Sequence, residues 1–125
     1  MDFPEHLLYT KEHEWINVEG DTATIGITDF AQGELGDIVF VEVDPKRTTL
    51  DKDEVFGTIE AVKTVSDLFL PVTGSILEVN PLLQNEPELV NQVPYGEGWI
   101  IKLKIENKEE LSQLMDAAAY AKMVG

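Results

Sequence analysis

Hydrophobic and polar residues alternate along much of this chain, and such alternation is typical of short, half-buried β-strands. Residues 14–27, EWINVEGDTATIGI, contain two alternating runs on either side of Gly20, which predicts a β-hairpin. The clearest alternation lies at 99–105, where Lys102 and Lys104 are interleaved with apolar residues. We therefore predict strands in both regions.

The segment between these regions adds a helix and a further strand. Thr28 or Asp29 is placed to cap a short helix over 30–35 that ends at Gly36. The following DIVFVEV, residues 37–43, is rich in β-branched residues and predicts a strand that closes at Asp44-Pro45. The polar stretch 45–53 then predicts a turn-like connection.

Two further β-prone runs, 54–62 and 65–72, meet around Lys63, so the lysine is predicted to lie at or near a turn. A strand is predicted at 75–79, followed by an irregular, proline-containing stretch with one helical turn near 88–90.

The C-terminal segment changes to a helical period. Leu111, Leu114, Met115 and Ala118 recur at helical spacing, and Asn107 with Glu110 forms a plausible capping pair, which predicts one amphipathic helix over about 108–120. The whole chain, 1–125, is then predicted to be a single α+β domain that is mainly β.

Composition narrows the function classes. The 125 residues carry a formal net charge of −15, which disfavours nucleic acid and anionic membranes as partners. The chain has no cysteine, so any redox-active sulfur must come from a cofactor. The first residues lack a signal-peptide pattern and no apolar run is long enough to span a bilayer, so we expect a cytoplasmic protein; a processed organellar form would look the same.

Lys63 is the only Lys or Arg between Asp53 and Ile101. A single amine between two β-prone arms is what an enzyme that acylates one lysine needs, because the long, flexible side chain can form an amide. The alternative interpretation is an ordinary solvated lysine at a hairpin tip.

Longer motifs favour the first interpretation. The segment GTIEAVKTVSDLFLPVTG, residues 57–74, resembles the lipoylation segment of glycine cleavage H proteins. YTKEHEWI at 9–16, TIGITDFAQGELGDIVFVEV at 24–43, PYGEGWIIKLK at 94–104 and the terminal LMDAAAY resemble the same family in the same order. The resemblance therefore covers nearly the whole chain.

The resemblance implies a barrel-sandwich hybrid of the lipoyl-domain type, with two four-stranded layers, an exposed lysine hairpin at about 54–73, a short helix on the N-terminal side and a C-terminal helix. It also implies a non-catalytic, monomeric carrier in which lipoate is attached to Lys63 by a lipoate ligase or a lipoyl/octanoyltransferase. The lipoyl group would carry an aminomethyl group from glycine decarboxylase (P protein) to aminomethyltransferase (T protein). Dihydrolipoamide dehydrogenase (L protein) would then reoxidise the dithiol.

The family also suggests roles for four residues near the lysine or the arm. Glu60 and Gly74 match positions associated with recognition by the lipoylating enzyme, whereas Glu14 and Asp67 match carboxylates of the cleft that shelters the loaded arm. The ordinary alternatives are solvated acids and a turn glycine. We hypothesise that Glu14→Ala shortens the lifetime of the loaded form and leaves lipoylation intact.

The chain departs from the usual family pattern at Thr64-Val65, at Glu34 and at DPKRTTLDK (44–52), and these departures bear on which partner surfaces it fits.

One rival function is a lipoate relay that donates lipoyl groups to other dehydrogenase complexes. A biotin carrier would bracket its lysine with methionines, unlike Lys63. An enzyme using His6 or His13 as a base lacks a nucleophile motif, a phosphate loop or paired metal-ligand spacing.

Overall fold

The computed structural model describes residues 2–43 and 49–125, and its elements are mostly short strands. The strands are β1 (Leu8–Tyr9), β2 (Glu14–Glu19), β3 (Thr22–Ile27), β4 (Ile38–Val43), β5 (Thr49–Leu50), β6 (Val55–Ala61), β7 (Val65–Phe69), β8 (Gly74–Val79) and β9 (Ile101–Ile105). The α-helices are α1 (Asp29–Leu35), α2 (Leu89–Gln92) and α3 (Ala117–Val124), and two 3-10 helices cover Pro81–Gln84 and Lys108–Gln113. The predicted mainly β class with short helices is confirmed.

The strands form two antiparallel sheets. The larger sheet has the order β1-β2-β3-β9-β8-β5 and the smaller one the order β4-β6-β7. Two layers of four strands were expected, and that count is wrong for the described residues. The larger sheet is extended at both ends because the two-residue strands β1 and β5 pair with β2 and β8.

The main core contains buried apolar side chains from both sheets, among them Ile25 and Leu103 from the larger and Ile59 and Leu68 from the smaller. A second cluster attaches α3 to the start of the chain through Leu7, Tyr9, Trp15, Ala117 and Tyr120. Burial of these apolar surfaces is the main favourable contribution to folding.

Local sequence signals account for the hairpin and for α1. Gly20 adopts a φ of +64° in the turn between β2 and β3, a conformation that glycine adopts without a steric penalty. The Thr28 side chain accepts a hydrogen bond from the Ala31 N–H and caps α1, and Gly36 ends the helix with a φ of +81°. The predicted hairpin, helix and cap are confirmed.

The single C-terminal helix predicted over 108–120 is wrong. A 3-10 helix ends at Gln113, Met115 exchanges two backbone hydrogen bonds of 2.8 Å with Tyr9, and Asp116 caps a separate α3. Pairing with Tyr9 extends the backbone here, so tertiary contact overrides the helical period.

The proposed Asn107–Glu110 capping pair forms only in part. The Asn107 side chain accepts a hydrogen bond from the Glu109 N–H. The Glu110 carboxylate instead accepts hydrogen bonds from the N–H and the hydroxyl of Thr73, at 2.7 and 2.9 Å. The Glu110 side chain, which was expected to cap the helix together with Asn107, is therefore hydrogen bonded to a residue distant in sequence.

Other boundaries differ slightly. Thr49–Leu50 forms β5 within the stretch predicted as turn-like, whereas the predicted Asp44-Pro45 closure lies outside the described residues. The strand predicted from residue 99 begins at Ile101. The lysine hairpin itself is confirmed, since β6 and β7 pair on either side of residues 62–64.

Candidate functional site

Lys63 lies at the exposed tip of the β6–β7 hairpin. The Ala61 N–H donates to the Thr64 carbonyl at 2.8 Å and closes the turn, while the flanking Val62 and Val65 side chains are 75% and 60% exposed. The lysine is therefore presented between two apolar side chains at the surface.

The hairpin tip is held against the connection between α1 and β4. The Val62 N–H donates to the Asp37 carbonyl at 3.0 Å, and a Cβ built on Gly36 would lie only 3.4 Å from Lys63 Cε. The lysine side chain therefore runs beside the C-terminal end of α1.

Asn91 holds this connection in place from α2. Its side-chain amide donates to the Gly36 carbonyl and to Gln32 Oε1, each at 2.9 Å, and its Oδ1 accepts from the Ile38 N–H at 2.9 Å. Asn91 could not be predicted from sequence, since an asparagine in a proline-rich, irregular stretch gives no signal of a long-range contact.

A cleft of about 390 Å³ lies between α1, β7 and the start of β2. Its apolar lining comprises Ile27, Phe30, Ala31, Leu35, Ile59 and Leu68, and its polar lining comprises Glu12, His13, Glu14, Glu34, Ser66 and Asp67. Leu35 directly precedes Gly36, beside which the lysine lies. The Lys63 side chain thus lies against the residue that follows the end of the cleft wall.

Glu14 is the most buried of the cleft's acids, with 2% of its surface exposed. Its carboxylate accepts hydrogen bonds from the Phe69 N–H at 2.9 Å and from the Thr10 hydroxyl at 3.0 Å. Desolvation raises the pKa of Glu14 to about 8, although the two hydrogen bonds oppose the rise. Of the two interpretations of Glu14 from sequence, the structure does not support a solvated surface acid.

Asp67 lines the same cleft from β7 and is exposed. The structure therefore brings together the two carboxylates that sequence singled out for the arm. Glu12 and Glu34 complete an acidic lining that sequence reasoning did not predict, although Glu34 was noted as a departure from the family pattern. Such a lining favours a cationic ligand.

His13 connects the cleft to the C-terminal helix. Its Nδ1 is hydrogen bonded to the Tyr120 hydroxyl at 2.8 Å, and that hydroxyl is also bonded to Thr28 Oγ1, the cap of α1, at 2.7 Å. Burial lowers the pKa of His13, an effect that neighbouring carboxylates oppose. Sequence reasoning missed Tyr120 because its partners lie more than ninety positions away.

Glu60 and Gly74 lie away from the cleft lining. Glu60 is exposed on β6, three residues before the lysine, and pairs with Phe40 and Val65 on the neighbouring strands. Gly74 begins β8 in the other sheet, where a Cβ would collide with the Lys104 carbonyl oxygen. Close approach of two strands is thus sufficient to require glycine at Gly74.

The cleft suits a lipoyl arm in its chemistry. Its apolar walls match an aliphatic chain that ends in a dithiolane ring, and its carboxylates match a cationic substituent at that end. Within residues 2–43 and 49–125, no cluster of histidine and acidic side chains is arranged to bind a metal ion. No helix of the same residues has the length and apolar composition needed to cross a bilayer.

Comparison with known proteins agrees with this geometry. The family model described as glycine cleavage H-protein matches residues 7–125. The chain is 58% identical over 124 residues to the glycine cleavage system H protein of Bacteroides fragilis, covering 99% of this chain and 98% of that protein. It is 51% identical over 125 residues to the Staphylococcus carnosus protein of the same name, covering 100% and 99%.

A solved structure supports the same relationship. The crystal structure of a glycine cleavage system H protein from Mycobacterium marinum superimposes with a TM-score of 0.87 at 36% identity, covering 98% of this chain and 99% of that one. This agreement supports the lipoyl-domain-like barrel-sandwich architecture. The chain therefore belongs to the glycine cleavage H-protein family, the lipoyl-carrying proteins of the glycine cleavage system.

Proposed function

We propose that Lys63 carries the lipoyl group and that the adjoining cleft shelters the end of the arm between transfers. The observation that carries this proposal is the position of Lys63, whose side chain lies against Gly36 at the end of the helix that walls the cleft. An arm extended from Nζ can therefore enter the cleft or swing into solvent.

Attachment is an acyl transfer to Nζ. The nitrogen attacks the carboxyl carbon of an activated lipoyl donor, the amide C–N bond forms, and the bond from that carbon to the leaving group breaks. The ammonium loses two protons to solvent or to the enzyme over the reaction. The exposure of the hairpin tip leaves Nζ accessible to a lipoate ligase or a lipoyl/octanoyltransferase.

The attached lipoyl group supplies a disulfide that accepts an aminomethyl group, and a dithiol that is later reoxidised. The residues of this chain have the remaining tasks. Apolar side chains of the cleft, such as Phe30 and Leu68, exclude water from the sheltered end. Glu14 and Asp67 stabilise a cationic substituent there. Because the pKa of Glu14 is raised to about 8, the cation must first shift this residue towards its ionised form, and the low local dielectric then strengthens the attraction.

In this scheme the chain is a non-catalytic, monomeric, cytoplasmic shuttle. It receives the aminomethyl group at glycine decarboxylase, delivers it to aminomethyltransferase, and is reoxidised by dihydrolipoamide dehydrogenase. Glu60, exposed three residues from Lys63, contributes to recognition by the lipoylating enzyme, and Gly74 contributes through the strand position it permits.

Intact and peptide mass analysis tests the attachment site. The protein is incubated with lipoate, ATP and a lipoate ligase, beside a Lys63→Ala variant. We expect a single lipoyl increment that maps to Lys63 and is absent from the variant. No increment on the wild-type chain, with a ligase that modifies a known acceptor, would overturn the proposal.

A further inference from the structure

An exposed row of side chains crosses the outer face of the smaller sheet beside the lysine. Phe40 on β4 is paired with Glu60 on β6, and Glu60 is paired with Val65 on β7. Directly paired residues of antiparallel strands project from the same face of the sheet. Phe40 is 49% exposed and Val65 is 60% exposed, so the row presents two apolar groups with a carboxylate between them.

This row continues directly to the lysine turn. Val65 lies two residues after Lys63, and Val62, the most exposed large apolar side chain of the described residues, immediately precedes it. The next pair on the same face, Glu42 with Thr58, adds a second carboxylate. Lys63 is the only cation among the described residues of these three strands and their turn.

An enzyme that acylates Lys63 must also reject other accessible lysines. Lys102 and Lys104 are exposed on β9, but Lys102 lies over the Trp99 ring and 3.8 Å from a Glu78 carboxylate oxygen. An exposed amine alone therefore does not distinguish Lys63 from the other lysines for the lipoylating enzyme. A half-exposed aromatic side chain near the target supplies a recognisable anchor, because aromatic residues often dominate interface energies.

Resting on the proposed lipoylation of Lys63 and the proposed role of Glu60, we propose that Phe40 and Val65, which flank Glu60, form an apolar docking face for the enzyme that transfers the lipoyl group to Nζ. That enzyme reacts at Nζ itself and must approach the hairpin tip closely. The three glycine cleavage enzymes react instead at the far end of the arm. The complementary surface is an apolar pocket for Phe40 bordered by cationic side chains, which the carboxylates of this face attract.

Initial lipoylation rates test the docking face. The full-length chain and its Phe40→Ala and Val65→Ala variants are offered to a lipoate ligase with lipoate and ATP, and product is followed by intact mass over a range of acceptor concentrations. We expect Phe40→Ala to lower kcat/KM at least ten-fold, chiefly through a higher KM. Val65→Ala is expected to cause a smaller loss in the same direction.

Leu77→Ala is the matched control, because Leu77 is 56% exposed on β8 of the other sheet. It should be lipoylated at the wild-type rate. After prolonged incubation has fully lipoylated the Phe40→Ala variant, its reduction by dihydrolipoamide dehydrogenase should match that of the wild type. Preservation of this second activity shows that the variant is folded and that only docking has changed.

A wild-type kcat/KM for Phe40→Ala, or an equal loss for Leu77→Ala, would overturn the docking face and leave Lys63 as the acceptor. A wild-type chain that takes up no lipoate would instead overturn the acceptor function, and the docking face with it. The two failures are therefore distinguishable.

Discussion

The carboxylate of Glu14 accepts a hydrogen bond from the backbone N–H of Phe69 at 2.9 Å. Glu14 belongs to the N-terminal hairpin, and Phe69 lies on the edge strand of the smaller sheet, at the base of the lysine hairpin. One buried acid therefore connects the two sheets beside the cleft.

This contact makes stability depend on pH with a definite sign. The pKa of Glu14 rises from 4.5 to about 8 on folding, so between these pH values the folded state binds more protons than the unfolded state. The free energy of unfolding should therefore fall as pH rises, by at most about 1.4 kcal/mol per pH unit. Glu14→Gln, which cannot titrate, should lack this slope in urea denaturation.

His13 contributes to the pH dependence of stability with the opposite sign, and the comparison with Glu14→Gln cancels this contribution because both proteins contain His13. The pKa of His13 is lowered in the folded state, so that residue destabilises the fold as pH falls through its ordinary range, and it does so in both proteins. Parallel curves for the wild type and Glu14→Gln between about pH 5 and pH 8 would contradict the raised pKa of Glu14.

Glu14→Ala should shorten the lifetime of the aminomethyl-loaded protein. When Glu14 is ionised, its charge-assisted contact with the cation contributes about 1.5–3 kcal/mol, so above its pKa of about 8 the loss of this contact should accelerate hydrolysis by roughly ten-fold or more. Lipoylation of Lys63 should remain intact, because Glu14 lies in the cleft and away from the hairpin tip. Mass analysis of the loaded protein over time measures both properties.

Glu14→Gln supplies the matched variant, since it keeps an oxygen for the Phe69 N–H but cannot ionise when a cation approaches. We expect it to hydrolyse faster than the wild type as well. Unchanged hydrolysis in both variants would contradict the role of Glu14 in sheltering the arm.

Local sequence signals predicted a large part of this fold. Gly20 marks the hairpin turn, Thr28 and Gly36 bound α1, and the β-prone runs around Lys63 form the hairpin, because each signal acts through its immediate neighbours. The C-terminal helix could not be predicted in the same way. Its interruption at Met115 depends on pairing with Tyr9, which is distant in sequence.

The site was predictable to a similar extent. Lys63 was singled out from its isolation among uncharged and acidic neighbours together with family resemblance, and Glu14 and Asp67 from resemblance alone. The burial of Glu14 was not predictable, because it depends on how the edge of β7 meets the start of β2. Asn91 and Tyr120 were missed for the same reason, since their roles arise only when distant segments meet.

Gly74→Ala should destabilise the fold. The added Cβ would collide with the Lys104 carbonyl oxygen and approach Leu103 Cγ to 2.9 Å, so the strands must separate. We expect a loss of about 1–3 kcal/mol in the free energy of unfolding. Gly33→Ala is the matched control, because its Cβ would meet nothing within 4 Å in α1 and should stabilise the helix slightly. Equal stability of the two variants would contradict the steric role of Gly74.

Tyr120→Phe should weaken the attachment of α3 to the cleft wall. The ring can keep its stacking on Tyr9, at a centroid distance of 4.8 Å, but the hydroxyl that joins His13 to Thr28 is lost. Leaving buried polar groups without this partner costs about 1–3 kcal/mol. Urea denaturation measures the loss, and nuclear magnetic resonance of the His13 ring should report a changed hydrogen bond. An unaltered His13 signal would contradict the assigned contact.

Asn91→Ala should loosen the presentation of Lys63. The variant removes both donors to the end of α1 and the acceptor for the Ile38 N–H, so the connection beneath the lysine turn loses its support. We expect faster hydrogen exchange at the Val62 amide, which is bonded to Asp37, and a slower initial rate of lipoylation. Asn91→Asp keeps the acceptor and loses the donors, so its effect should be intermediate.

A general loss of stability must be separated from this local effect. Asn107→Ala removes a different capping hydrogen bond, to the Glu109 N–H at 3.1 Å, and leaves the lysine turn untouched. It should reduce stability by about 0.5–2 kcal/mol without changing exchange at Val62. If Asn91→Ala and Asn107→Ala raise exchange at Val62 equally, Asn91 supports the fold as a whole. If only Asn91→Ala raises exchange at Val62, the turn that carries Lys63 is positioned by a side chain from α2.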